Sequence, residues 1–202
     1  MNYGEWFIVT RSYGTQDLSY KENTQNNKRT KQMAYKNKTY IAFDGDKDIR
    51  YYWLMKAWKY NSKDFFSEFN FYDAHDINFA RDSSKEQSIK RQLSERLDNT
   101  KLFILLVGES TKFLYRFVRW EIEQAIEKKI PIIVINLNGK RQFDIDRCPY
   151  LLKDETAIHI SFNQKIIEYA LKKWETQLQK IKQEGKKGPF YYTDEVYKSI
   201  GL

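Results

Sequence analysis

Apolar residues fall in short blocks along this chain, and the blocks alternate between two periods. Residues 39–43 (TYIAF), 69–72 (FNFY), 102–107 (LFILLV), 132–137 (IIVINL) and 157–162 (AIHISF) are β-type runs. The third and fourth are apolar on successive positions, as central strands covered on both faces must be. Between the runs the apolar positions take helical spacing. Residues 49–60 are aromatic-rich and amphipathic. Residues 84–97 open at Ser83 or Ser84 with Glu86 or Gln87 near the third position, which resembles a capping box. Residues 110–129 carry Leu114, Phe117, Val118, Ile122 and Ala125 on one stripe, and a long helix starts at Asn163. Strands alternating with helices in this order predict a doubly wound α/β domain built on a five-stranded parallel sheet.

Outside that block the pattern changes. Residues 6–9 are a short apolar run that fits either an added edge strand or a partner contact, and residues 14–38 are a polar linker rich in Asn, Gln, Lys and Thr. The final helix continues its stripe past the domain core through Ile167, Ala170 or Leu171, Trp174, Leu178 and Ile181. Two readings stand for its far end: packing against the chain's own N-terminal arm, or a self-association surface. The division is therefore 1–37 as an N-terminal extension, 38–171 as the domain, and 172–202 as a helix extension with a basic tail.

Charge adds little to this picture once it is located. The net charge of +8 over 202 residues belongs mainly to the ends: residues 1–38 contribute +4 and residues 172–202 contribute +3, leaving +1 for the body. A nucleic-acid-binding domain more often concentrates charge on its body among stacking aromatics. Lys186 and Lys187 near Phe190, Tyr191 and Tyr192 come closest to that arrangement, and they read as solvated tail. The single cysteine, Cys148, excludes an internal disulfide and suits a reducing compartment. No run is long enough for a membrane span or a signal peptide. The expectation is a soluble cytoplasmic protein.

Candidate chemistry collects where the strands of such a sheet end. Asp44, Gly45, Asp46, Lys47 and Asp48 follow the first run, Asp73, Ala74, His75 and Asp76 the second, Gly108 the third, and Asn136 and Asn138 lie at the end of the fourth. Acidic groups there suit a hard cation. A phosphoacceptor receiver would need an Asp after the third strand and a Lys after the fifth, where this chain has Gly108 and Asn163. No Gly-rich phosphate loop occurs. Two histidines and one cysteine cannot build a structural zinc site, and no Ser/His/Asp triad can be assembled. His159 alternates within a strand and reads as structural, whereas His75, in an acidic loop, is a candidate site contact.

Glu121 is the residue that breaks the pattern, because it falls on the apolar stripe of 110–129. A carboxylate there must be paired, neutralised or exposed to a cavity. A salt bridge to Arg96 or Arg119 is one reading. The other is chemistry that needs a single carboxylate: cleavage of a glycosidic bond through an oxocarbenium-like transition state, whose positive charge a buried carboxylate stabilises. A leaving group that already carries positive charge, as nicotinamide does in NAD+, requires no general acid.

The stretch LDNTKLFILLVGESTKFLYRFVRWEIEQAI (residues 97–126), with KTYIAFDGDKDIRYYWLMKAW (38–58) and FNFYDAHD (69–76), resembles the TIR-like domains of bacterial antiphage systems, in particular the ThsB proteins of Thoeris defence. TIR enzymes commonly place an aromatic, usually Trp, four residues before the catalytic Glu; here Phe117 takes that position, with Trp120 next to Glu121. The resemblance covers roughly residues 38–171. It implies a flavodoxin-like sheet, NAD+ as substrate with no further cofactor or metal, and release of nicotinamide. The product implied is an ADP-ribose derivative, often cyclic, that acts as second messenger for a separate effector. Glu121 would bind ribose and stabilise the oxocarbenium ion. Phe43, Asp44 and Asp46 would line the nucleotide site, Phe117 or Trp120 would flank the nicotinamide, and Asp73 and His75 would begin a segment that contacts a neighbouring protomer of a homo-oligomer. A phage-derived trigger is expected, and neither a membrane nor a nucleic acid as partner. Two other readings stand beside this one: a noncatalytic TIR-type assembly module, and a nucleoside glycosyl-transferring enzyme of the same architecture.

Overall fold

The computed structural model describes the backbone of residues 6–10, 19–20 and 71–73 and, with side chains, residues 39–61 and 86–202. The described strands are β1 (Trp6–Thr10), β2 (Ser19–Tyr20), β3 (Thr39–Ala42), β4 (Phe71–Asp73), β5 (Leu102–Val107), β6 (Ile132–Asn136), β7 (Ala157–Ser161) and β8 (Pro189–Tyr192). They make one sheet in the order β2-β1-β8-β7-β6-β5-β3-β4. The five predicted runs are β3 to β7, and every pairing among them is parallel. The sheet is wider than predicted, because β8 adds to β7 in parallel and β1 closes on β8 antiparallel, followed by β2.

Among the described residues five α-helices flank the strands: α1 (Ile49–Asn61), α2 (Glu86–Asp98), α3 (Val118–Glu127), α4 (Gln164–Gln183) and α5 (Asp194–Ser199). Alternation along the strands sorts the core into two layers. Ile41, Ile104, Ile133 and Ile160 face Tyr52 and Met55 of α1, the stripe of α4, and Val196 and Tyr197 of α5. Tyr40, Phe103, Leu105 and Val134 face Ile89, Leu93 and Leu97 of α2 and Val118, Ile122 and Ala125 of α3. No helix among the described residues is long and apolar enough to cross a membrane.

The predicted helix over 110–129 is interrupted. Residues Thr111–Phe113 form a 3-10 turn, Leu114 leaves helical geometry at φ −84° and ψ 69°, and α3 starts at Val118. Side chains compete with the helical ladder here: the Gly108 N–H donates to Thr111 Oγ1 at 2.9 Å, and the Ser110 hydroxyl donates to Asp44 at 2.5 Å.

The reading of residues after 184 as a solvated tail is corrected by the structure. Helix α4, capped by Asn163, whose side chain accepts from the Lys165 N–H, runs across the boundary drawn at 171. It ends at Gly185 (φ 66°), with the Lys186 N–H donating to the Ile181 carbonyl and the Gly185 N–H to that of Lys182. This left-handed glycine cap turns the chain back. Phe190 and Tyr192 of β8, with Val196 and Tyr197 of α5, are then buried in the core. Trp174, Leu178 and Ile181 lie in that same cluster, so neither self-association nor the N-terminal arm is needed to cover their stripe. The Tyr197 hydroxyl accepts from the Ser161 N–H at 3.2 Å and latches α5 to the end of β7.

Candidate functional site

The chain runs from β3 outward to β4 and then back across to β5, so the strand order reverses between β3 and β5. In open α/β sheets the crevice at such a reversal, beyond the carboxyl ends of the strands, is where ligands bind. Three segments meet there: the turn 43–48 after β3, the turn 108–111 after β5, and the start of α3.

Glu121 lies in the first turn of α3 and is 5% exposed. Its Oε1 accepts a hydrogen bond from the Tyr40 hydroxyl at 2.7 Å. Tyr40 lies two residues before the end of β3, so this contact sits below the rim of the sheet by roughly 7 Å of strand. The N-terminal end of the helix also favours a negative charge at this position. Arg119, one of the two partners weighed from sequence, instead pairs with Glu123 at 2.8 Å on the exposed side of α3. Tyr40 itself stacks on Phe103 with ring centroids 5.6 Å apart, which fixes the direction of its hydroxyl.

Phe117 and Trp120 are half-buried and pack on the same layer as Glu121. The Arg116 guanidinium stands over the Phe117 ring, and the Lys90 ammonium lies 5.8 Å from the centre of Trp120. Glu86 of α2 pairs with Lys90 one turn along its own helix and with Arg116 just before α3, and the second pair ties the start of α3 to α2 beside the site. Phe43 goes the other way. It stacks on Tyr52 at 5.2 Å in the layer under α1, so the sheet separates its ring from Glu121.

Asp44 is 6% exposed, and both of its oxygens are occupied. Oδ1 accepts from the backbone N–H groups of Asp46 (3.0 Å) and Lys47 (3.4 Å), and Oδ2 accepts from Ser110 Oγ. The first pair shapes the turn in the manner typical of Asp; the second stitches the β3 turn to the β5 turn. Asp46 is exposed at the tip. Asn136 and Asn138 also build a loop. The Asn136 amide donates to the carbonyls of Lys140 and Gln142, and Asn138 donates to Asp144 at 2.7 Å. Burial pushes Asp144 up, but the hydrogen bonds from Lys140 and Asn138 outweigh it and hold its carboxyl below the usual range. Asp73 closes β4 beside Ile41 in register, and His75 lies outside the described residues. His159 is fully buried between strands, with its ring edge-on to Phe143, away from the crevice.

Asp48 is the residue that sequence reasoning did not single out from its loop. It is 5% exposed, and its Oδ2 has no hydrogen-bond partner among the described residues. Burial first, and then the neighbouring Asp44 charge, raise its carboxyl to about 6 against the pull of Arg50, Lys47 and Arg147. Nothing in the spacing of Asp44, Asp46 and Asp48 ranks one above another, so only the folded turn distinguishes it.

A doubly wound parallel sheet flanked by helices on both faces is the fold of a TIR-like domain. Residues 40–142, about half of the chain, match the family described as Thoeris protein ThsB, TIR-like domain. The chain belongs to this family, and that membership associates it with antiphage defence. The matched region runs from β3 to the loop after β6 and includes every element of the crevice.

Proposed function

We propose that this protein cleaves NAD+ at the bond between nicotinamide and ribose and releases an ADP-ribose derivative, in cyclic form, as a second messenger for a separate effector. The observation that carries the reading is Glu121: a carboxylate 5% exposed on an otherwise apolar helix face, oriented by the Tyr40 hydroxyl, in a ThsB-type domain. Loss of nicotinamide leaves positive charge on the ribose ring, and a carboxylate fixed in a water-poor site stabilises that charge without reorganising. Nicotinamide departs neutral, so no acid need protonate it. Phe117 and Trp120, on the same layer as Glu121, supply flat apolar surface for the nicotinamide ring.

The depth of Glu121 also bears on regulation. A carboxylate so far covered is met by substrate only when its surroundings open, so the isolated chain is expected to turn over slowly until assembly or an infection-derived trigger exposes it. An enzyme that drains NAD+ in the cytoplasm needs such restraint.

A noncatalytic assembly module is the second reading, because the Tyr40 hydrogen bond also satisfies Glu121 as a purely structural residue. The two are separated by incubating the concentrated protein with NAD+, alone and with lysate from phage-infected cells, and following nicotinamide release with mass analysis of the second product. Nicotinamide together with a cyclic or conjugated ADP-ribose supports the enzyme; intact NAD+ under all conditions favours the module.

A further inference from the structure

We propose that Asp48 is a second ligand-contacting carboxyl group, which takes a hydroxyl-bearing part of the nucleotide in the crevice between β3 and β5, and that Gly108 is glycine so that this carboxyl can reach the crevice. The proposal deepens the NAD+ reading and rests on it.

The geometry is specific. A Cβ placed on Gly108 would lie 2.1 Å from Asp48 Oδ2 and 2.5 Å from its Oδ1 and Cγ, so the carboxyl occupies the space that any side chain at 108 would take. Gly108 is not among the glycines with positive φ, so its backbone does not demand glycine. Space for Asp48 does. The two carboxyls of the crevice also differ in what they have left to offer. Asp44 has spent both oxygens on the turns, whereas Asp48 Oδ2 is buried with no partner among the described residues. An unpartnered buried carboxyl is destabilising by itself, and such groups persist where a ligand supplies the missing bond.

The charges around Asp48 select the class of group it takes. Two adjacent carboxyls repel a phosphate and accept from hydroxyls, so the ribose diol fits here and the diphosphate does not. Arg50, Lys47 and Arg147 face the same carboxyl from α1, the β3 turn and the loop before β7. Because the Asp48 carboxyl titrates at about 6, its capacity to accept from a diol falls as pH drops below that value.

The test uses ADP-ribose as probe and the full chain, with affinity measured by titration calorimetry between about pH 5 and pH 8 and unfolding temperature recorded beside it. Asp48→Asn is expected to weaken binding at pH 8 by about tenfold or more, the loss of a charge-assisted hydrogen bond. It is also expected to abolish the fall in affinity below pH 6 and to unfold no earlier than the wild type. Gly108→Ala, which pushes the carboxyl aside, should weaken binding in the same way. Unchanged affinity and pH dependence in Asp48→Asn overturn the proposal, and so does a weakened affinity accompanied by a markedly lower unfolding temperature, which marks a structural role. A wild type that does not bind ADP-ribose and, even with lysate from phage-infected cells, does not cleave NAD+ overturns the NAD+ reading and this proposal together. A wild type that does both beside an unaltered Asp48→Asn overturns this proposal alone.

Discussion

Tyr40→Phe removes one hydroxyl and leaves the ring stack on Phe103 intact, so it isolates the bond to Glu121. At 2.7 Å the contact is at the usual distance for an O–H···O hydrogen bond. A hydrogen bond to a charged group contributes about 1.5–3 kcal/mol, and here its loss leaves a covered carboxylate with one donor fewer. For a chain of this size each kcal/mol moves the unfolding temperature by about 2–4 °C, so a drop of about 3–12 °C is expected. Glu121→Gln retains an oxygen that can accept from Tyr40 and loses only the charge, so it should cost less. The four proteins of the cycle, wild type, both single variants and the double variant, are compared by urea unfolding at neutral pH. The coupling expected is about 1 kcal/mol, the difference between charged and neutral hydrogen bonds. A coupling within about 0.3 kcal/mol of zero, the range of independent sites, refutes the idea that Tyr40 holds Glu121 as a carboxylate.

Two further outcomes concern the rest of the molecule. His159 is fully buried, and burial lowers its value from 6.5 to about 3, so between those values the unfolded chain binds a proton that the folded chain refuses. Stability is therefore lost as pH falls below 6.5, with a slope of up to about 1.4 kcal/mol per pH unit from this group. Asp48, raised to about 6, acts with the opposite sign: its folded form binds the extra proton between 3.8 and 6, which favours the fold as pH falls. His159→Phe should flatten the acid limb of a stability profile and Asp48→Asn should steepen it; the same slope in both variants and the wild type would show these assignments to be wrong. Truncation after residue 184 removes β8 and α5 and uncovers Trp174, Leu178 and Ile181, so the shortened chain should lose its cooperative unfolding transition and bind an apolar dye. A folded, dye-free truncate would restore the reading of this region as a tail.

Much of the fold was legible because its cues are local. LFILLV and IIVINL read as central strands since both faces of each are covered, and Ile89, Leu93 and Leu97 marked the buried face of α2. What failed depended on distant partners. The helix over 110–129 was overextended because its break comes from Ser110 reaching Asp44, 66 residues away. β8 was missed because Lys186 and Lys187 gave the region the look of a solvated tail. A signal was present all the same: Gly188 and Pro189 precede Phe190 and Tyr192, whose alternate burial is that of a strand. In the site, Glu121 was visible as a charge on an apolar stripe, whereas Tyr40 as its partner was not, since the two are 81 residues apart and meet only where α3 packs on β3.

Glu121→Gln compared with the wild type, in nicotinamide release from NAD+ under activating conditions and in unfolding temperature, is the most direct measurement on this protein. Turnover in the wild type, its loss by several orders of magnitude in the variant, and an unfolding temperature within a few degrees are expected, since roughly 1 kcal/mol of hydrogen-bond strength is at stake in the fold. A variant that retains turnover, or one that loses turnover only because it no longer folds, would contradict the assignment of Glu121 as the catalytic carboxylate.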